Sequence, residues 1–335
     1  MTYVRVMESL DRLDRMLVHA LKVDGRATFS AIGAALGVSD QTVARRYQRL
    51  RSAGVLRVVG MPGSQIPGQD EWFVRIRCTP DAAMPIADAL ARRDDTYWVQ
   101  LASGGAEILC VTRPQNTERH DTLLLQKLPR TPRVTDVQAH QLLRSYDPDP
   151  LLFGVRLGAG AGEPASGGLD ADAVDRLRPA PRDLPPTPLD DTDRAVIGVL
   201  NRDGRTGLAE LARAAGTSES TVRRRLDVLR RSGSLRFDID IEGPLTGTRA
   251  HVLLWLAVLP STLTSTAESL VTHPEVNFAA IITGPSHILA SVSCADGAAL
   301  HEYLAGRIGS LTGVRRFETA PVQRMLKRHG LLDPA

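Results

Sequence analysis

"TVARRYQRLRSAG" (residues 42–54) and "TVRRRLDVLRRSG" (residues 221–233) are one basic helix written twice, 179 positions apart. In each, apolar residues recur at helical spacing, Val43, Tyr47 and Leu50 in the first and Val222, Leu226 and Leu229 in the second. The arginines take the remaining faces. Working outward, Leu10–Arg57 aligns with Leu189–Arg236 without a gap and with 20 identities in 48 positions. The chain is therefore a tandem duplication.

Each copy predicts three helices. Asp11 precedes an apolar run at Leu13, Leu17 and Leu21, with Asp14 three places on, a carboxylate form of the capping box. An Asp-Gly-Arg turn, at Asp24 and again at Asp203, ends that helix. A short second helix carries Ile32 and Leu36 and stops at Gly37; its counterpart stops at Gly216. Ser39 and Ser218 then cap the basic helices, which Gly54 and Gly233 close. Helix, Gly-containing turn and capped basic helix describe a helix-turn-helix. The core-facing residues leave Gln41, Thr42, Arg45, Arg46 and Arg49 pointing outward.

The 335 residues exceed one compact core. Net charge is only +3, and arginine outnumbers lysine 38 to 3, so abundance of arginine says little. Clustering says more. Ser39–Arg57 holds five arginines against Asp40, or +4; Ser218–Arg236 holds six against Glu219 and Asp227, again +4. A solvated helix face would account for one such segment, but the same cap, turn and Arg-Arg pair in both argue for a nucleic-acid surface. No apolar run reaches membrane-spanning length, and "MTYVRVMESLDRLDRML" has no apolar signal core; the helical pattern begins at Leu10, leaving Met7 as a candidate start. Cys78, Cys110 and Cys294 form no CxxC pair and are expected as buried free thiols in a cytoplasmic protein. No metal or cofactor is expected, and no catalytic spacing is present.

After each helix-turn-helix, "VLRVV" (55–59) and "SLRFDIDIE" (234–242) alternate like strands and are expected to lead away to a second unit. In the first copy that unit reads "EWFVRIRC", "DAAMPIADALARR", "YWVQLASG", "AEILCVTR", a helix over 115–128, and "RVTDVQAHQLL". In the second it reads "RAHVLLWLAVL", "STLTSTAESLVTH", "EVNFAAIITG", "SHILASVS", "GAALHEYLAGRIGSL" and "VRRFETAPVQRML". Both follow βαββαβ, the ferredoxin-like order. The expected class is α+β: two winged-helix-like helix-turn-helix domains (7–60 and 189–240) alternating with two ferredoxin-like domains (70–150 and 248–330). Residues 154–188 carry six glycines and six prolines and read as a mobile, dispensable linker with one helical turn around "DADAVDRL". Each βαββαβ sheet has one face its helices cannot cover, so the two units are expected to pair within the chain as a pseudo-dimer, with further homo-oligomerisation.

This order of domains resembles the Lrp/AsnC (feast/famine) family of prokaryotic transcription regulators. The opening Leu-Asp-x-x-Asp at Leu10 and Leu189, the Asp-Gly-Arg turns, Gly-x-Ser before each basic helix (Gly37–Ser39, Gly216–Ser218) and the Arg-Arg pair carry the likeness. It implies double-stranded DNA as partner, read by Ser39, Gln41, Thr42, Arg45, Arg46 and Arg49 in one copy and Ser218, Ser220, Thr221, Arg224 and Arg225 in the other. It also implies a small effector, an amino acid or related metabolite, at the β2–β3 hairpins. Here these are "SGGAE", with Ser103, Gly104 and Glu107, and "TGPSH", with Thr283, Gly284 and His287. The family's usual Thr-Gly-x-x-Asp is altered in both, and the fusion of two units is a further departure. A haem-pathway enzyme of the siroheme decarboxylase type resembles the same architecture; its site would recruit histidines and arginines of the βαββαβ units to hold propionates, and His251, His273, His287 and His301 all lie in the second unit. None stands in a recognisable catalytic spacing, and a regulator rather than an enzyme is the reading adopted.

Overall fold

A computed structural model describes residues 10–64, 66–113, 122–153, 168–241 and 248–332. The first copy contributes α1 (Arg12–Val23), α2 (Phe29–Leu36), α3 (Asp40–Ser52) and β1 (Leu56–Pro62). It continues with β2 (Trp72–Cys78), α4 (Pro80–Ala91), β3 (Thr96–Ala102), β4 (Glu107–Thr112) and β5 (Val134–Tyr146). Helix α5 (Ala171–Leu177) lies between the copies. The second copy contributes α6 (Asp191–Arg202), α7 (Leu208–Ala214), α8 (Glu219–Arg231) and β6 (Leu235–Ile241). It continues with β7 (Ala250–Val258), α9 (Leu263–Leu270), β8 (Val276–Ile282), β9 (Ile288–Cys294), α10 (Gly297–Tyr303), β10 (Val314–Arg328) and β11 (Leu331–Leu332). Of the helix expected over 115–128, residues 115–121 lie outside the described residues; Thr122–Lys127 form a π-helical turn.

The chain divides into two units, and like is grouped with like rather than by sequence order. Residues 1–67 and 148–249 form one; 68–147 and 250–335 form the other.

In the first unit the local signals act as their chemistry requires. Asp11 and Asp14, and Asp190 and Asp193, form full capping boxes on α1 and α6. Ser39 and Ser218 accept the N–H groups of Thr42 and Thr221 at the starts of α3 and α8. The strands following the helices do not lead away to another unit, as the sequence suggested. Instead β1 and β6 pair antiparallel with each other, Val59 opposite Asp238. Those two positions are equivalent in the repeat, being 179 apart, so the register is the self-complementary one that a twofold axis requires. The Asp-Gly-Arg turns meet across the same axis. Arg26 donates to the carbonyls of Gly204 and Thr206, and Arg205 donates to those of Gly25 and Ala27. Asp24 pairs with Arg230 and Asp203 with Arg51, again equivalent partners. A side chain at Gly204 would reach within 2.8 Å of Val58, so only glycine lets this turn sit on β1.

The stretch expected as a dispensable linker is corrected in its described part. Leu169, Ala173, Val174 and Leu177 are buried in the core of the first helix-turn-helix with Leu17, Leu21 and Ile32. Residues 168–177 thus complete an apolar surface that three short helices leave open. His19, fully buried, ties the stretch down: its Nε2–H donates to the Pro150 carbonyl and its Nδ1 accepts the Leu169 N–H. Burial pushes the His19 pKa below its ordinary value, in keeping with this neutral form. Farther on, Thr187 exchanges hydrogen bonds with Ser234 and Leu184 N–H donates to Arg231 O, so this end too is fixed.

In the second unit the strands run β11-β10-β3-β4-β2-β5-β8-β9-β7, and β10 also pairs with β7, closing the sheet on itself. Each half keeps the ferredoxin-like order. The closing strands β5 and β10 are longer than one sheet needs, and their second halves cross over. Leu142 pairs with Ile282, and Val322 with Ala102, equivalent pairs at a spacing of 180. Helix-covered outer faces bury Val74, Ile76 and Val99 in one half and Leu254, Leu256 and Ile288 in the other. The inner faces share a core of Phe73, Leu109, Leu253, Trp255 and Leu289. Arg75 and Trp255, equivalent positions, stack at 4.6 Å. Cys78, Cys110 and Cys294 are buried free thiols, and burial pushes Cys110 up to about 12.

Candidate nucleic-acid interface

Helix α3 turns Val43, Tyr47 and Leu50 inward, and α8 does the same with Val222, Leu226 and Leu229. Ser39, Gln41, Arg45 and Arg49 are exposed, with Thr42 half-buried; Ser218, Ser220 and Arg224 are exposed, with Thr221 half-buried. Arg45, Arg46 and Arg49 line one shallow hollow.

The two arginines of each Arg-Arg pair are put to different uses. Arg46 donates to Asp11 at 2.6 Å and to the fully buried Asp14 at 2.8 Å. Arg225 bonds Asp190 and Asp193 in the same way. These acids are the capping boxes of α1 and α6, so one guanidinium locks the basic helix to the first helix of its own module. Arg49 joins Asp14 at 2.5 Å, whereas Val228 occupies the equivalent place in α8. Arg45 and Arg224 have no ion pair among the described residues and stand clear for phosphate or a base edge. Sequence reasoning passed over Arg223, exposed on α8 where α3 has Ala44. The signal for the locked arginines was available in the acids at Asp11, Asp14, Asp190 and Asp193, but only folding shows which arginine they take.

In the second unit, Glu107 of the first hairpin is buried, not open to solvent. It accepts from Arg75 at 2.6 Å, Arg77 at 2.9 Å and Ser103 at 2.9 Å. Burial would raise its carboxyl, but the two guanidiniums hold it below the usual range. Arg75 reaches on to Glu318 at 2.6 Å. In the second hairpin Thr283 accepts at its hydroxyl from Gln141 N–H and at its carbonyl from His140 Nδ1–H. His287 Nδ1 accepts from Val258 N–H. Gly104 and Gly284 both have positive φ, +72° and +110°, the conformation these turns need. His251 bonds Ser291 and His273 bonds Tyr303, each with its own partner rather than a shared centre.

The AsnC-type helix-turn-helix domain matches residues 10–51 and 189–230, and the Lrp/AsnC ligand binding domain matches residues 251–332. An uncharacterized HTH-type transcriptional regulator of Pyrococcus abyssi is 30% identical over 133 residues, 39% of this chain and 84% of the relative. The chain belongs to the Lrp/AsnC family. It is a tandemly duplicated HTH-type transcriptional regulator of that family, with helix-turn-helix and ferredoxin-like ligand-binding domains. The regulator LrpA of Pyrococcus abyssi is 27% identical over 140 residues, 42% of this chain and 99% of LrpA. Among solved structures, the siroheme decarboxylase NirDL aligns with 96% of this chain and 94% of its own at a TM-score of 0.63. At 13% identity that likeness is one of fold alone. Among the described residues no helix is long and apolar enough to cross a membrane, and no group of three His, Cys, Asp or Glu could hold a metal ion.

Proposed function

We propose that one chain reads two unlike DNA half-sites, α3 on one and α8 on the other, under control of a small effector at the hairpins of the second unit. Arg45 and Arg224 are the principal DNA contacts, helped by Ser39, Gln41, Thr42 and Arg49 in one half and Ser218, Ser220, Thr221 and Arg223 in the other. Arg46 and Arg225 serve by holding each helix in place. The observation that carries this is the pairing of β1 with β6 in a self-complementary register, which sets two non-identical basic helices about one axis. Gln41 answers to Ser220, Ala44 to Arg223 and Arg49 to Val228, so the two surfaces present different donors. A true homodimer selects a palindrome; this chain calls for an imperfect one with half-sites about one helical turn apart. Selection of bound duplexes from random DNA tests it. A strict palindrome would show that each half pairs with its own kind in a second chain.

The whole-chain fold likeness to a siroheme decarboxylase supports a second reading, an enzyme of that type. A visible absorption band acquired on incubation with sirohaem would favour it.

A further inference from the structure

We infer that Asp193 is a positioning residue that takes up a proton when α8 meets DNA, and that the first module has no counterpart to this step. This rests on the reading above that both basic helices bind DNA, and says what the second one requires in order to do so.

The two modules hold their basic helices with unequal charge. In the first, Asp11 and Asp14 face Arg46 and Arg49, two acids against two guanidiniums, and the cluster sums to zero. Asp14 is fully buried with both oxygens taken, Oδ1 by Arg46 at 2.8 Å and Oδ2 by Arg49 at 2.5 Å. In the second, Val228 stands where Arg49 would. Among the described residues Asp190 and Asp193 therefore share one guanidinium, that of Arg225, and the cluster sums to −1. Asp193 is only 1% exposed. Its Oδ2 accepts from Arg225 at 3.3 Å and from the Asp190 N–H at 3.2 Å, the long end of the hydrogen-bond range. Its Oδ1 has no hydrogen-bond partner among the described residues. A buried carboxylate oxygen without a donor is costly as an anion, and a proton removes that cost.

The environments of the two acids decide which one takes the proton. The charged groups acting on Asp193 are Arg225 of α8 and Asp190 at the start of α6. Burial pushes the Asp193 carboxyl above the usual aspartate range, against the pull of the Asp190 N–H and Arg225. Burial acts on Asp190 in the same sense, but there the Asp193 N–H and Arg225 outweigh it and hold the carboxyl below that range. The proton belongs to Asp193. Phosphates drawn up to α8 add like charge near this cluster and favour its neutral form further. A neutral Asp193 also releases the Arg225 Nη1 that it held, leaving Nη2 on Asp190, so the helix stays anchored while one donor is freed toward the nucleic acid. The bound chain then carries more protons than the free chain, and affinity rises as pH falls.

Anisotropy titrations of the full chain with a duplex selected from random DNA, at fixed salt and from about pH 8 to about pH 5.5, test this. Affinity is expected to climb toward low pH with a slope approaching one proton, about tenfold per pH unit at its steepest. Val228→Arg, which returns the second cation, and Asp193→Asn, which keeps the shape without the charge, are each expected to flatten that slope. Calorimetry in buffers of unlike ionisation enthalpy counts the protons directly and should show the uptake lost in both variants. Val228→Arg leaves Asp193 itself in place, so it decides the matter even where Asp193→Asn folds poorly. A flat profile for the parent chain, or a slope that persists with Val228→Arg, overturns the inference while leaving the DNA reading intact. Failure to bind any duplex removes both.

Discussion

Arg45 and Arg46 are adjacent in sequence, yet a turn of about 100° per residue sends one to solvent and the other back to the acids of α1. The same split separates Arg224 from Arg225. Substituting Arg45 or Arg224 by Ala should lower operator affinity by about 1–3 kcal/mol if a base is read, or reduce the salt slope by about one if phosphate is met. Anisotropy titrations over a range of salt distinguish these outcomes. Arg225→Ala is expected to act on stability instead, costing about 1–3 kcal/mol, because it strips the buried Asp193 of its ion-pair partner. Arg46→Ala should cost less, since Arg49 still reaches Asp14 while Val228 offers Asp193 nothing. Thermal melts of the two variants, side by side, check the order.

At the scale of elements, α5 shows how composition misleads. Its surroundings are rich in Gly and Pro, and seven residues hold too little helix propensity to stand alone. What fixes it is burial: Asp170 caps its start, and Val174 and Leu177 fill the first module's core. Leu177→Ala should destabilise the first unit by about 2–5 kcal/mol, the usual cost of emptying a buried leucine site. Chemical denaturation followed by circular dichroism would register it, and a variant as stable as the parent would return this stretch to linker status. The β1–β6 ribbon was legible as two strands but not as a pair. Alternation marks a strand, and it does not name the partner.

Over the whole molecule, duplication turns what a homodimer assembles from two chains into contacts within one. The like–like pairings of an exact repeat are broken where they would cost most. Arg75 meets Trp255 rather than a second arginine, and Asp238 meets Val59 rather than a second aspartate, with Lys22 at 2.6 Å as its counter-ion. Unfolding of these intrachain interfaces should not follow mass action. The thermal midpoint is therefore expected to stay constant on dilution, where that of an assembled dimer falls. Scanning calorimetry over a wide range of protein concentration makes the comparison.

The sequence by itself determined the repeat, the three helices of each copy, the caps at Asp11, Ser39, Asp190 and Ser218, and the βαββαβ order. Each of these is written within a few residues, in a period, a side chain able to accept from a free amide, or a turn glycine. Only the tertiary structure decided that β1 and β6 join the two helix-turn-helix copies, that β5 and β10 cross between sheets, which arginines are locked, and that His140 and Gln141 bond the second hairpin. Those outcomes rest on partners far apart in the chain, such as His140 and Thr283 at a separation of 143 or Arg75 and Glu318 at 243. Local pattern carries no information about such partners, because a side chain's donors and acceptors are matched only when packing brings the elements together.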